Sequence, residues 1–128
     1  MKSLLILGAG GFGRMIKETA LALGYEEVLF LDDTAKDNDV IGRCCDYHLY
    51  HREYSVAVAA FGNNKTRLFW TRKLLEEEYE VPAIVHPSAI VSPSVTLEPG
   101  CFIMQRAVVN RSTTIKMAAL INSGAVVD

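Results

Sequence analysis

Paired cysteines, an excess of one charge and long apolar runs are all missing from this sequence, and each absence excludes something. Its three cysteines, two of them adjacent at Cys44 and Cys45, match neither a zinc-ligand spacing nor an even-numbered disulfide framework. A reduced, cytoplasmic setting is therefore the expectation. Thirteen basic against fifteen acidic residues leave a formal charge of -2 over 128 residues. That balance gives no electrostatic footprint for nucleic acid or an anionic membrane. The basic residues are scattered, as at Arg14, Lys17, Lys65, Arg67, Arg72 and Lys73, and solvated helix faces account for them. The apolar run at Leu4–Leu7 is too short for a signal peptide or a membrane span. The length suits one ordinary domain or two small ones.

What is present falls into two textures. Residues 1–80 alternate strand-like and helix-like patterns. Ser3–Leu7 reads as a strand buried on both faces. Gly13–Leu23 reads as a helix with apolar Met15, Ile16, Ala20 and Leu23, stopped at Gly24. Glu27–Leu31 is a second strand closed by Asp32 and Asp33, and Ser55–Phe61 a third. The turn Gly62-Asn63-Asn64 then opens a helix over Lys65–Tyr79, with asparagine able to cap its first amides. This order predicts a small parallel α/β sheet. The stretch Asp33–Tyr54 reads as surface loop; His48 and His51 lie in it without acidic or cysteine partners at ligand spacing, so no metal is expected.

From Val81 onward, to residue 128, a period of six takes over. Val85, Val91, Leu97, Ile103, Val109, Ile115, Ile121 and Val127 are all aliphatic, and the residues four places later, from Ala89 to Ala125, are all small or modest. Pro87, Pro93 and Pro99 recur at the same interval. Six fits neither a helix nor an ordinary strand but does fit a hexapeptide solenoid, each hexad forming one side of a triangular coil. The aliphatic residue points into the shaft, the small one fits a corner, and proline falls at turns. Three hexads complete one coil, so only two full coils are spelled out, whereas repeat folds usually need about three repeats and a cap.

Gly8, Gly10 and Gly13 form a G-x-G-x-x-G loop, reading GAGGFG, between a predicted strand and a predicted helix. Such glycines let the backbone approach a pyrophosphate, whose charge then meets the helix amides. Asp32 and Asp33 follow about 20 residues later, where an acidic residue holds a dinucleotide's ribose. Either could instead accept from another ribose hydroxyl or from a uracil N–H. A ligand-free βα turn is the bland alternative.

The pairing of that loop with hexapeptide repeats resembles the sugar O- and N-acetyltransferases of bacterial surface-glycan pathways, among them sialic acid O-acetyltransferase relatives and the bacillosamine-pathway acetyltransferase. ILGAGGFGR, LDD, FGNNKTR and VHPSAIVSPS carry the likeness, which extends over the whole chain. Many members have histidine in the glycine loop where this chain has Phe12. The resemblance implies a Rossmann-like domain over 1–80 and the first coils of a left-handed parallel β-helix over 81–128. It implies a UDP-linked amino sugar or related sugar bound through Gly8, Gly10, Gly11, Phe12, Gly13, Asp32, Asp33 and Asn63. It implies acetyl-CoA along later coils, a homotrimer, and a β-helix histidine as general base. That histidine follows a segment like INSGAVVD, so Asn122 and Asp128 match neighbours of the catalytic centre and the base itself is not among these residues. His86 belongs instead to the motif that opens the β-helix. The chain is thus expected to bind a nucleotide sugar, to be catalytically incomplete, and to trimerise weakly if at all.

Two other readings stand beside this one. A non-catalytic nucleotide-sugar-binding or regulatory module has the same sequence features. An NAD(P)-binding oxidoreductase domain follows from the glycine loop alone, but no dehydrogenase scaffold needs the hexads.

Overall fold

The computed structural model describes residues 2–128. Four parallel strands make the first half: β1 (Ser3–Leu7), β2 (Glu27–Leu31), β3 (Val40–Gly42) and β4 (Ala57–Ala59), in the order β3-β2-β1-β4. Leu4–Leu7 of the central β1 are fully buried, as a strand covered on both faces requires. Helix α1 (Gly11–Ala22) buries Gly13, Ile16, Thr19 and Ala20, while Met15 stays partly exposed. Helix α2 (Asn64–Glu76) packs on β4. Among the described residues no helix is long and apolar enough to cross a membrane.

The expected helices and strands are present with shifted ends. The segment read as featureless loop differs: it holds β3 and a 3-10 helix over Cys44–Leu49. At the start of that helix Asp46 Oδ2 accepts from the Arg43 amide at 2.9 Å, while the Asp46 amide donates to the Arg43 carbonyl.

Both α-helices end the same way with different residues. After α1, Gly24 sits at φ +97°, with the amides of Gly24 and Tyr25 donating to the carbonyls of Leu21 and Ala20, the double bond of a Schellman cap. After α2 the same pair of bonds, Glu78 to Leu75 and Tyr79 to Leu74, closes around Glu78 at φ 66°. A side chain in the left-handed region is strained, and glycine relieves that strain. Glu78→Gly is accordingly expected to stabilise the protein by about 0.5–1 kcal/mol, read as a higher urea midpoint. A lower midpoint would contradict the cap.

Eight two-residue strands follow: β5 (Ile84–Val85), β6 (Ile90–Val91), β7 (Thr96–Leu97), β8 (Phe102–Ile103), β9 (Val108–Val109), β10 (Thr114–Ile115), β11 (Leu120–Ile121) and β12 (Val126–Val127). They pair in parallel as β5-β8-β11, β6-β9-β12 and β7-β10. Ile84 opposite Phe102, and Phe102 opposite Leu120, gives a register of 18 residues. A chain that returns to the same ladder at that interval winds as a three-sided coil. Its interior is a separate cluster around Cys101, Ile103, Ala107, Val109 and Ile115, with Val85, Val91, Leu97, Ile121 and Val127 packed against it. The corners carry a second recurrence, with Gly100, Arg106, Ser112, Ala118 and Gly124 all at positive φ.

The residue before each inward aliphatic points outward, and the three sides treat it differently. Ile84, Phe102 and Leu120 join the core of the α/β half. Thr96 and Thr114 are exposed, and so are the apolar Ile90 (67%) and Val126 (66%). One side of the coil is therefore glued to the sheet domain, one is polar, and one presents an apolar column.

Candidate functional site

In the order β3-β2-β1-β4 the chain reverses direction across the sheet between β1 and β4. The loops leaving the carboxyl ends of those two strands flank the crevice where parallel α/β sheets bind ligands. Here they are the glycine loop and the Ala60–Asn63 turn.

The glycines divide into two kinds. At Gly8 (φ +101°) a Cβ would stand 2.7 Å from the Ala60 carbonyl oxygen, and at Gly13 a Cβ would stand 1.8 Å from the Gly8 carbonyl oxygen. These two let the loop fold onto itself and onto the neighbouring turn. Gly10 and Gly11 have nothing within 4 Å of such a Cβ, so their backbone borders open space. Gly10 stands at the N-cap of α1 without a side-chain cap, and the first turn holds no acidic residue. The amides of that turn, which helix geometry leaves without intrahelical acceptors, are thus available to an anion.

Phe12, in the first turn of α1, makes its contact with the coil. It is half-buried, and its ring meets Phe102 of the coil edge-on at 5.1 Å between centroids. That contact joins the α/β half to the coil.

The paired aspartates separate in function. Asp32 Oδ1 accepts from the Ala9 amide (2.8 Å), and Oδ2 accepts from the amides of Thr34 and Ala35 and the Thr34 hydroxyl. Burial pushes its pKa up, but the bonds from Ala9, Ala35 and Thr34 outweigh it and the carboxyl lies below its ordinary value. With both oxygens engaged, Asp32 pins the glycine loop to the end of β2. Asp33 is exposed; its Oδ1 accepts from the Cys44 amide at 3.1 Å, and its Oδ2 has no partner among the described residues. Both border an open groove of about 440 Å³ that runs along Thr34, Ala35 and Ile41 to Arg43.

Asn63 caps α2, its Oδ1 accepting from the Thr66 amide at 2.9 Å, and its side-chain amide group has no partner among the described residues. Asn122 and Asp128 lie on the exposed surface of the coil, where Asp128 Oδ1 accepts from Asn110 Nδ2 one coil earlier at 2.7 Å. No hydrogen bond among the described residues links either to the glycine loop. His86 is occupied locally, its Nδ1 accepting from the Ser88 amide at 3.0 Å. His51 turns Nε2 toward the Glu78 carbonyl.

Charge patterning alone places the basic residues on solvated helix faces; the structure corrects this for Arg67 and gives Arg14 and Lys17 acidic partners. Arg67 is buried, with 2% exposure. Arg14 and Lys17 converge from α1 on Asp39, and Arg14 also pairs with Asp37. These pairs fasten the β2–β3 connection, and with it the groove beside Asp33. The Arg14 hydrogen bond, opposed by burial and assisted by Lys17, holds the Asp39 carboxyl at about 2 against an ordinary 3.8. A depressed carboxylate contributes stability that is complete above its unfolded pKa and lost as pH falls through its folded one. Asp39→Asn should therefore cost about 1–2 kcal/mol at pH 7. The gap between the two urea midpoints should close between pH 4 and pH 2. A gap independent of pH would show that the ion pairs are not its source.

Known proteins share this architecture. The PglD N-terminal domain family matches residues 3–74. The acetyltransferase domain of PglB from Neisseria gonorrhoeae FA1090, solved with acetyl coenzyme A, is 35% identical with a TM-score of 0.93, over 99% of this chain and 64% of that one. PerB from Caulobacter crescentus, solved with CoA and GDP-perosamine, is 30% identical with a TM-score of 0.92, over 100% of this chain and 63% of that one. The chain thus spans just under two thirds of the length of these solved structures. With the glycine loop, the sheet order and the coil all in place, the chain belongs to the sugar acetyltransferases of the PglD N-terminal domain family, as their N-terminal part.

Proposed function

We propose that these residues form the nucleotide-sugar-binding part of an acetyltransferase that moves an acetyl group from acetyl-CoA to a nucleotide-linked amino sugar or a related sugar. The observation that carries this reading is the uncapped, glycine-lined start of α1 at the crevice between β1 and β4, beside an aspartate with an open oxygen. The diphosphate lies over Gly10, Gly11 and the first amides of α1. Asp33 reads the base or ribose and Asn63 lines the opposite wall. A UDP-sugar is the ligand proposed; the GDP-perosamine bound by PerB makes GDP the competing base.

In the same reading the coil is the start of a left-handed β-helix, and the apolar column of Ile90 and Val126 packs between subunits of a homotrimer. A homotrimer agrees with the exposure of that column. Acetyl-CoA supplies the acyl group when bound. No residue of the glycine-loop site is assigned to it, and none of these residues is assigned as the base. The nucleotide substrate and the three free cysteines fit a cytoplasmic setting.

Thermal denaturation tests the ligand. UDP or GDP, at about 100 times its Kd, should stabilise by about 2.7 kcal/mol and raise the midpoint by several degrees. NAD at equal concentration should raise it less. A larger shift with NAD would replace this reading with the oxidoreductase one.

A further inference from the structure

Arg67 is the only charged side chain buried among the described residues. Its Nε donates to the Ala118 carbonyl of the coil at 2.6 Å. Its Nη1 donates to the carbonyls of Phe61 (2.9 Å) and, more weakly, Gly62 (3.4 Å), and its Nη2 to Asn64 Oδ1 (2.7 Å). Every acceptor is neutral, and among the described residues no carboxylate pairs with it. Burial alone pulls its pKa below the ordinary arginine value. A guanidinium kept from water without a counter-charge is costly, and the common remedy is a carboxylate. None is supplied here.

The carbonyls that Arg67 gathers belong to the β4–α2 turn, the wall of the crevice opposite the glycine loop. Ala60 and Phe61 stand against Gly8. In a trans peptide the C=O and the following N–H point in opposite directions, and no cis bond occurs among the described residues. Drawing the Phe61 and Gly62 carbonyls inward therefore turns the Gly62 and Asn63 amides away from the guanidinium. Neither amide donates to any acceptor within the described residues, and both residues are exposed. Successive outward amides backed by a fixed positive charge favour an anion.

We propose that Arg67 is a positioning residue for the diphosphate of the nucleotide: it sets the β4–α2 turn with its amides outward, lends that turn an unneutralised charge, and through Ala118 ties the occupied turn to the coil. This rests on the nucleotide-sugar reading above. The fork geometry matters as well as the charge, because one side chain must reach three segments at once.

The test compares a diphosphate with its own nucleoside, UDP with uridine and GDP with guanosine, by calorimetry on the whole chain. For the base that binds, Arg67→Met should weaken the diphosphate about tenfold and leave the nucleoside unchanged. Arg67→Lys should retain part of the diphosphate's advantage. Equal weakening of diphosphate and nucleoside would reduce Arg67 to a structural strut and overturn the proposal. Because loss of Arg67 strands buried carbonyls, the unmutated protein provides a second measurement. The Arg67 Nε–H resonance should shift, and its hydrogen exchange should slow, with the diphosphate but not with the nucleoside; no difference between them overturns the inference alone. Failure of the unmutated chain to bind either diphosphate overturns the nucleotide-sugar reading and this inference with it.

Discussion

Gly13→Ala should destabilise the protein by about 3 kcal/mol or more, while Gly10→Ala, three residues earlier, should change stability by no more than about 1 kcal/mol. The difference lies in what each new methyl meets. At Gly13 it would stand 1.8 Å from the Gly8 carbonyl oxygen and 2.8 Å from the carbon it is bonded to, both backbone atoms. No rotamer change relieves a clash between a Cβ and a backbone, so the loop itself must move. Gly8 cannot yield freely, since its amide donates to the Leu31 carbonyl at 2.8 Å and the Ala9 amide is held by Asp32. The new methyl at Gly10 meets nothing within 4 Å, and its backbone at φ -80°, ψ -166° is an extended conformation open to any residue. Urea denaturation of the two variants checks this. Gly10→Ala should also weaken nucleotide binding at nearly native stability, because the methyl occupies space over which the diphosphate is proposed to lie. Equal stability loss in the two variants would mean that the loop is not packed as described.

Ile103→Ala should cost about 2–5 kcal/mol, against roughly ±0.5 kcal/mol for Lys116→Ala. Ile103 is fully buried in the centre of the coil, with β5 and β11 paired on either side of its strand. A cavity there has no route to solvent and little room to collapse. Lys116 is 77% exposed and only touches Glu98, at 3.5 Å, a surface pair worth little. Leu97 occupies the equivalent inward position but is half-buried, so Leu97→Ala should fall near the lower end of that range. Similar costs at Ile103 and Lys116 would contradict the inward assignment.

The coil interior was legible because a single property, aliphatic size, repeats at one position of every hexad. Where that coil meets the rest of the protein was not. Phe102 and Ile90 hold the same hexad position, yet one is fully buried and the other 67% exposed. Only the path of the chain decides which side of the coil faces α1. Arg67 was illegible for a related reason. It precedes Leu68, Phe69 and Trp70 on a helix with no clean apolar stripe, and its burial depends on Ala118, 51 residues away. The glycine loop and the two aspartates were recognisable by spacing, but their division of labour was not. That depends on Ala9, Thr34, Ala35 and Cys44 presenting amides to the two carboxylates. The strand β3 spans only Val40–Gly42, too few residues for an alternation to show.

The coil obeys two clocks at once. Its inside repeats every six residues, whereas its surroundings repeat every 18, the interval between vertically stacked strands. Removing six consecutive residues would leave every later inward side chain inward, and by its interior alone the shortened coil would pass as intact. On the outside, each later residue would move to another side of the triangle. Phe102, built to meet the α/β half, would then take the exposed place of Thr96, Val108 would stand at the joint instead, and Thr114 would enter the apolar column. Removing 18 would leave both inside and outside unchanged. Variation in the length of this half is therefore constrained to whole turns by what lies around it, and not by what lies within.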